Sequence, residues 1–338
     1  MKAYKLCAVN NLQYQEVKYP DCPKGWSIVK VKAAGICSSD IPRIFTKGTY
    51  HFPTIPGHEF SGRVEAVHDA ENQRLVGKKV SVFPLIPCRK CDQCKTGHYE
   101  MCENYDYIGS RRNGAFAEYV AVPVWNLVEL DEGVDFEEAA MMEPLAVALH
   151  AIKQSGLKEG DSFAVVGTGM IAFAAAQWAK RKGASSVTIF GRSETKRELA
   201  ERIGDVEYRI AVANAEEFDV VLEAVGAPVA IEQSIKYTKA GGTLVLMGNP
   251  SGNIEMKQDV YWRILRKQLK LIGTWNSSYE SNKDCDWAEV KEALENKQIQ
   301  AKTLISHTYT ADRLEDGLEL MRSHQEPYCK VMTVWGND

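Results

Sequence analysis

The chain has 338 residues, 45% of them apolar, and a formal net charge of −4 from 41 basic and 45 acidic side chains. That length can bury a sizeable core and is expected to divide into two domains. A slightly acidic balance with no basic run leaves no electrostatic footprint for nucleic acid, and no stretch approaches the roughly 18 continuous apolar residues of a membrane span. The Met-Lys-Ala-Tyr-Lys start carries no apolar signal region and the nine cysteines are an odd number, so a reducing, cytoplasmic setting is expected. Cys7, Cys22, Cys285 and Cys329 lack partner spacing and read as free thiols.

Up to about Leu145, short alternating runs such as 27–32 and 116–122, punctuated by Gly and Pro, predict strands of an irregular β domain. Within it, Gly35-Ile36-Cys37-Ser38-Ser39-Asp40 puts a thiol in a Gly-containing turn, and Pro56-Gly57-His58-Glu59 puts an imidazole beside a carboxylate. Next comes Cys-x2-Cys-x2-Cys-x7-Cys, formed by Cys88, Cys91, Cys94 and Cys102. That spacing brings four thiolates onto one loop and fills every position of a tetrahedral zinc, which makes the ion structural. An iron–sulfur cluster and a disulfide pair are the alternatives, the first weakened by the absence of a Pro after the last Cys.

A helix-rich switch is expected at 138–154, carrying Met142-Glu143-Pro144. Cys37, His58 and Glu143 would give zinc three ligands and leave the fourth position open, although each residue alone reads equally well as core filler or an ordinary polar group. Beyond the switch, a buried strand at 162–166, an amphipathic helix at 171–182 and a strand at 186–190 make a βαβ unit, continued by strands at 219–223 and 243–247. Its first turn is Gly167-Thr168-Gly169-Met170-Ile171-Ala172. Gly167 permits the tight turn, Gly169 lets the backbone approach a pyrophosphate, and Ala172 takes the third glycine's place, so the amides opening the helix at Met170 and Ile171 can bind a dinucleotide. Val225 and Gly248 stand in the loops after the later strands, where a doubly wound sheet receives its ligand.

The second strand ends in Gly191-Arg192-Ser193 where an NAD site places an acid. No carboxylate repels a 2′-phosphate there, and Arg192 and Ser193 can bind one, so NADP is favoured and NAD remains possible. The opposing reading makes Arg192 a solvated residue and gives the ribose to Glu194. From about Ser278, helices at 288–295 and 314–323 and a strand at 329–334 extend no βαβ repeat, and this stretch is expected to rejoin the first domain.

These motifs, together with Gly114-Ala115-Phe116-Ala117-Glu118-Tyr119, resemble the zinc-dependent medium-chain alcohol and polyol dehydrogenases over nearly the whole chain. The resemblance implies an α/β protein, with a GroES-like β domain from 1–147 and 278–338, a Rossmann doubly wound parallel sheet domain at 148–277, an active site in the cleft and a homodimer or homotetramer. In the polyol branch Cys37, His58 and Glu143 hold the catalytic zinc, with Glu59 able to approach it. The lobe cysteines hold a second ion, giving two zinc ions per chain. Asp40 would orient the His58 ring. Ser39 would accept the substrate hydroxyl's hydrogen bond, while Pro42 stands where many members continue the proton relay with a histidine. Four further stretches, 39–45, 84–88, 105–112 and 264–267, resemble members acting on polyol phosphates, which makes Arg111 and Arg112 candidates for a substrate phosphate. The alternative pairs those arginines with acids. The implied activity is reversible oxidation of a secondary alcohol of a polyol or sugar phosphate to a ketose. A dehydrogenase of unphosphorylated polyols or diols and a nucleotide-binding redox sensor are the other readings.

Overall fold

Small and β-branched side chains make Trp26–Ile36 an eleven-residue strand that runs through the middle of a seven-stranded sheet. The computed structural model describes residues 1–212, 216–280 and 284–336. It groups the chain into two compact units, one formed by Met1–Glu143 with Ser278–Asp338 and the other by Pro144–Ser277. In the first, Trp26–Ile36 pairs antiparallel with Glu59–Val67, with Tyr119–Pro123 and with the closing strand Lys330–Val334. Val29, Val31, Phe60, Val80, Phe116 and Val331 fill the core against it.

The strand expected at 116–122 begins only at Tyr119. Its first residues act as a strap instead: the Ala115 and Phe116 amides donate to the Gly57 and Pro56 carbonyls at 2.9 Å. Gly57 has φ +94°, and a Cβ there would lie 2.6 Å from the Phe116 ring, so glycine is needed to seat the loop that carries His58.

The second unit is a six-stranded parallel sheet in the spatial order Glu207–Ile210, Ser186–Gly191, Ser162–Val166, Phe218–Glu223, Thr238–Leu246, Lys270–Gly273. This is the doubly wound order 3-2-1-4-5-6, whose reversal lies between Ser162–Val166 and Phe218–Glu223. Helix Met170–Arg181 follows the first strand, burying Ala172, Phe173, Ala176 and Trp178. Sequence periodicity did not predict Glu207–Ile210, Lys270–Gly273 or the helices Arg197–Arg202, Pro228–Tyr237 and Gln258–Lys267. Among the described residues no helix is long and apolar enough to cross a membrane.

Candidate active site and metal centres

The Sγ atoms of Cys88, Cys91, Cys94 and Cys102 lie within 4.8 Å of one another, with Cys88–Cys94 and Cys91–Cys102 at 3.9 Å. Bonds of about 2.3 Å to one tetrahedral ion require edges of about 3.8 Å, so the lobe fits a single zinc and has no room for a multi-iron cluster. Sulfurs 3.9 Å apart are also far from the roughly 2.05 Å of a disulfide. The Cys91 and Lys90 amides donate to Cys88 Sγ and draw its pKa down to about 6, whereas burial pushes Cys94 up to about 12. Crowded thiols of such uneven acidity are a donor set that a divalent cation would neutralise together.

A second cluster is built where strand Trp26–Ile36 ends and strand Glu59–Val67 begins. Donor atoms of Cys37, His58 and Glu59 lie within 4.8 Å of one another, and His58 and Glu59 are buried. Glu143, in the first turn of helix Met142–Ser155, stands beside the cluster and not among those mutually close atoms. Its Oε1 accepts from the Tyr107 hydroxyl at 3.3 Å. Burial pushes the Glu143 carboxyl up to about 7, with Glu59 adding to the rise and His58 opposing it. Acids buried at this density call for a cation.

One fixed cation comes from Lys330, which sequence reasoning did not single out. Its ammonium pairs with Glu59 Oε2, and both residues are buried. Gly35 makes room for the pair, since a Cβ there would collide with Glu59 Oε2. A buried-looking lysine opening a closing strand with no other charge was the available signal. Tyr107 lies in the 105–112 stretch, where nothing in the sequence marks it as a partner of Glu143.

Asp40 is fully buried, binds two neighbours and faces a third. It accepts from the Cys37 amide at 3.0 Å and from Arg43 Nη1 at 2.8 Å, and its Oδ1 lies 3.7 Å from His58 Nδ1, longer than a hydrogen bond. Burial opposes its ionisation, but His58 and Arg43 outweigh it and hold the carboxyl below its ordinary range. Ser39 is exposed next to Cys37, its amide 3.5 Å from Cys37 Sγ and its hydroxyl 3.5 Å from Arg43 Nη1.

The two candidate phosphate ligands differ. Arg112 pairs with Asp106 and covers the Trp26 ring at 5.1 Å. Arg111 is held between the Tyr50 and Tyr105 rings at 4.3 and 4.2 Å, donates Nη1 to the Tyr105 carbonyl at 2.7 Å, and keeps a buried Nε with no hydrogen-bond partner among the described residues. Both line a cleft of about 720 Å³ whose walls include none of Cys37, His58, Glu59 or Glu143.

In the parallel-sheet unit, Gly167 has φ +131°, and its amide donates to the Phe190 carbonyl at 3.0 Å. A Cβ on Gly169, which caps helix Met170–Arg181, would meet nothing within 4 Å, so that face of the turn is open to a ligand. Met170 and Ile171 open the helix. The loops holding Val225 and Gly248 are drawn together by Glu223: its Oε1 accepts from the Val225 and Gly226 amides at 2.9 and 2.8 Å, and its carbonyl accepts from Gly248 at 3.1 Å. Gly191 is buried, whereas Arg192 and Ser193 are exposed. Glu194, the rival ribose ligand, is engaged by Arg197 at 2.5 Å.

Comparison with known proteins places these features in a family. Residues 23–132 match the alcohol dehydrogenase GroES-like domain and residues 171–296 the zinc-binding dehydrogenase domain. Galactitol 1-phosphate 5-dehydrogenase of Escherichia coli K12 is 32% identical over 303 residues, covering 86% of each chain. L-threonine 3-dehydrogenase of Bacillus licheniformis is 32% identical over 330 residues, covering 92% of each. A crystal structure of a zinc-binding dehydrogenase from Sinorhizobium meliloti 1021, bound to NADP, superposes with a TM-score of 0.89 at 29% identity, covering 98% of both chains.

Proposed function

This chain belongs to the zinc-dependent medium-chain dehydrogenases, and we propose that it interconverts a secondary alcohol of a polyol or polyol phosphate, of the galactitol-1-phosphate kind, with the ketose, using NADP(H) in preference to NAD(H). The observation that carries this reading is the Cys37–His58–Glu59 cluster, its His58 and Glu59 buried and Cys37 half-buried, with a carboxylate, Glu143, beside it. In this reading Cys37, His58 and Glu143 hold a catalytic zinc with Glu59 in reach, and the lobe cysteines hold a structural one. When bound, the catalytic ion polarises the alcohol oxygen and lowers its pKa, and the nicotinamide exchanges hydride with the carbinol carbon.

The chain's own residues prepare that chemistry. Tyr107 fixes Glu143 through a hydrogen bond, and Lys330 holds Glu59 at the edge of the donor set. Asp40 draws in the Cys37 amide and faces the His58 ring, so the loop carrying the thiol and the loop carrying the imidazole share one anchor. Ser39, exposed beside Cys37, can accept the hydroxyl hydrogen of a bound alcohol.

For NADP the support is the missing carboxylate at Gly191 and the commitment of Glu194 to Arg197. Arg192 adds a cation with no ion-pair partner among the described residues, and one relative binds NADP. A second reading, an unphosphorylated hydroxyl substrate, is favoured by the pairing of Arg112 with Asp106 and by the equally identical threonine dehydrogenase. The deciding experiment is a panel of free and phosphorylated polyols, ketoses and L-threonine with both cofactors, followed by nicotinamide absorbance. Turnover of phosphorylated polyols at least about tenfold above the free ones supports the first reading. Absence of turnover with any of them, at full zinc content, would instead indicate a nucleotide sensor.

A homo-oligomer is part of the same proposal. Lys270–Gly273 is an edge strand, and Trp262, Leu265, Leu271 and Trp275 are large apolar residues exposed in or near it in sequence. Such a surface suits a second copy of the chain.

A further inference from the structure

Gly191 closes the second strand of the parallel sheet, and the space its side chain would need is already filled. A Cβ at this position would collide with the Tyr208 hydroxyl and lie 2.6 Å from Tyr208 Cζ and 2.9 Å from Thr168 Cγ2. Thr168 belongs to the Gly167–Gly169 turn. Tyr208 comes from the neighbouring strand Glu207–Ile210, where it pairs with Ile189, two residues before Gly191's partner Ile210, and is 4% exposed.

Tyr208 is held at three points, two on its phenol and one on its backbone carbonyl. Its hydroxyl donates to the Ser193 carbonyl at 2.6 Å, the Arg197 guanidinium lies 5.4 Å from its ring centre, and Arg197 Nη1 donates to its carbonyl at 2.9 Å. Tyr208 therefore occupies the volume into which an acid at the strand end would project. It also ties down the backbone of the turn that presents Arg192 and Ser193, both exposed.

We propose that Tyr208 is a specificity-determining positioning residue of the dinucleotide site: it bars a carboxylate from position 191 and fixes the 192–193 turn for an anionic group on the adenosine ribose. This rests on the reading of that turn as the ribose end of a nicotinamide cofactor site. An acid is selected at such strand ends because it accepts from both ribose hydroxyls. Here that choice is closed by a side chain on the next strand, so exchanging Gly191 alone cannot convert the site.

The test is direct binding of NADPH and NADH, by fluorescence titration, to the zinc-loaded full chain carrying Gly191→Asp, Tyr208→Val, both changes, or Tyr208→Phe, with thermal melts to check folding. Gly191→Asp alone should lose NADPH by about tenfold or more without gaining NADH, the scale of one charge-assisted contact. The double variant should bind NADH about tenfold more tightly than Gly191→Asp. Tyr208→Phe keeps the ring and loses the bond to Ser193, and it should weaken NADPH several-fold more than NADH. Gly191→Asp binding NADH as tightly as the double variant would overturn the proposal. If the double variant does not fold, equal losses of both cofactors in Tyr208→Phe overturn it just as well. A wild-type protein that prefers NADH refutes the NADP reading by itself, while the comparison of single and double variants on NADH still decides the role of Tyr208.

Discussion

Lys330 and Glu59 form a buried pair between residues 271 positions apart, and its removal is expected to be costly in a specific way. Lys330→Met should leave a buried carboxylate without its cation and destabilise the fold by about 3–5 kcal/mol, whereas Lys330→Arg should recover part of that loss. Urea melts measure both, and the loss should grow after chelation if a metal ion shares Glu59. A neutral Lys330→Met variant would show that Glu59 reaches water or another partner. Gly35→Ala tests the same locus from the opposite strand, because its methyl meets Glu59 Oε2 and must displace the pair; it should cost about 1–3 kcal/mol, as overpacking does. Candidate ligands within one short motif were readable by residue type: Cys37 and the His58-Glu59 pair stood out in their turns, while their approach to within 4.8 Å of one another is supplied by the fold. Lys330 and Tyr208 were not, because what each does depends on a partner that only the fold brings near. The same limit applies to Arg112, whose partner Asp106 is close in sequence but offers no pattern to distinguish pairing from substrate binding.

The first and fourth strands of the chain's parallel sheet are tied at their entry by Asp219. Its Oδ2 accepts from the Ser162 amide at 2.9 Å and the Ser162 hydroxyl at 2.5 Å, and Lys239 lies 3.0 Å away. Burial opposes ionisation, but the Ser162 and Lys239 contacts win and hold the carboxyl at about 2. A folded pKa below the unfolded one contributes stability that is complete above about pH 4 and is lost as pH falls through about 2. With Asp219 37% and Lys239 44% exposed, the contribution is discounted to about 1 kcal/mol. Asp219→Asn should therefore lower stability at pH 7 and flatten this part of the acid limb in pH-dependent melts; an unchanged acid limb refutes it. Elements with strong periodicity were legible, as Ser162–Val166 and Met170–Arg181 show. Glu207–Ile210 was not, because two of its four residues are charged and its strand character comes from pairing with Ser186–Gly191. Lys270–Gly273 is short and ends in glycine, and Gln258–Lys267 hides its period by exposing Tyr261, Trp262 and Leu265. At the four-cysteine lobe the sequence spacing carried the geometry, and, on the proposed two-zinc reading, Cys94→Ser should lose one zinc per chain by elemental analysis and collapse the loop, leaving one zinc bound.

Large apolar side chains exposed to water are distributed unevenly along the chain. Between residues 254 and 275 lie Ile254, Met256, Tyr261, Trp262, Leu265, Leu271 and Trp275, each at least 39% exposed. They accompany Lys270–Gly273, whose outer edge is unpaired among the described residues because it terminates the six-stranded sheet. An open edge beside apolar side chains is an aggregation hazard unless something covers it, and a second copy can do so by continuing the sheet edge to edge about a two-fold axis. A stable interface needs roughly 800 Å² from each partner, which a few buried Trp, Leu and Tyr side chains supply in large part. Leu271→Asp with Trp275→Glu would place two carboxylates in that contact, where desolvation and mutual repulsion oppose association. Light scattering after gel filtration should give a multiple of 37.7 kDa for the wild-type chain and a single chain mass for the double variant. If both elute as oligomers of equal mass, the interface lies on another face, and if the wild type is already a single chain, the exposed segment is not covered by a second copy.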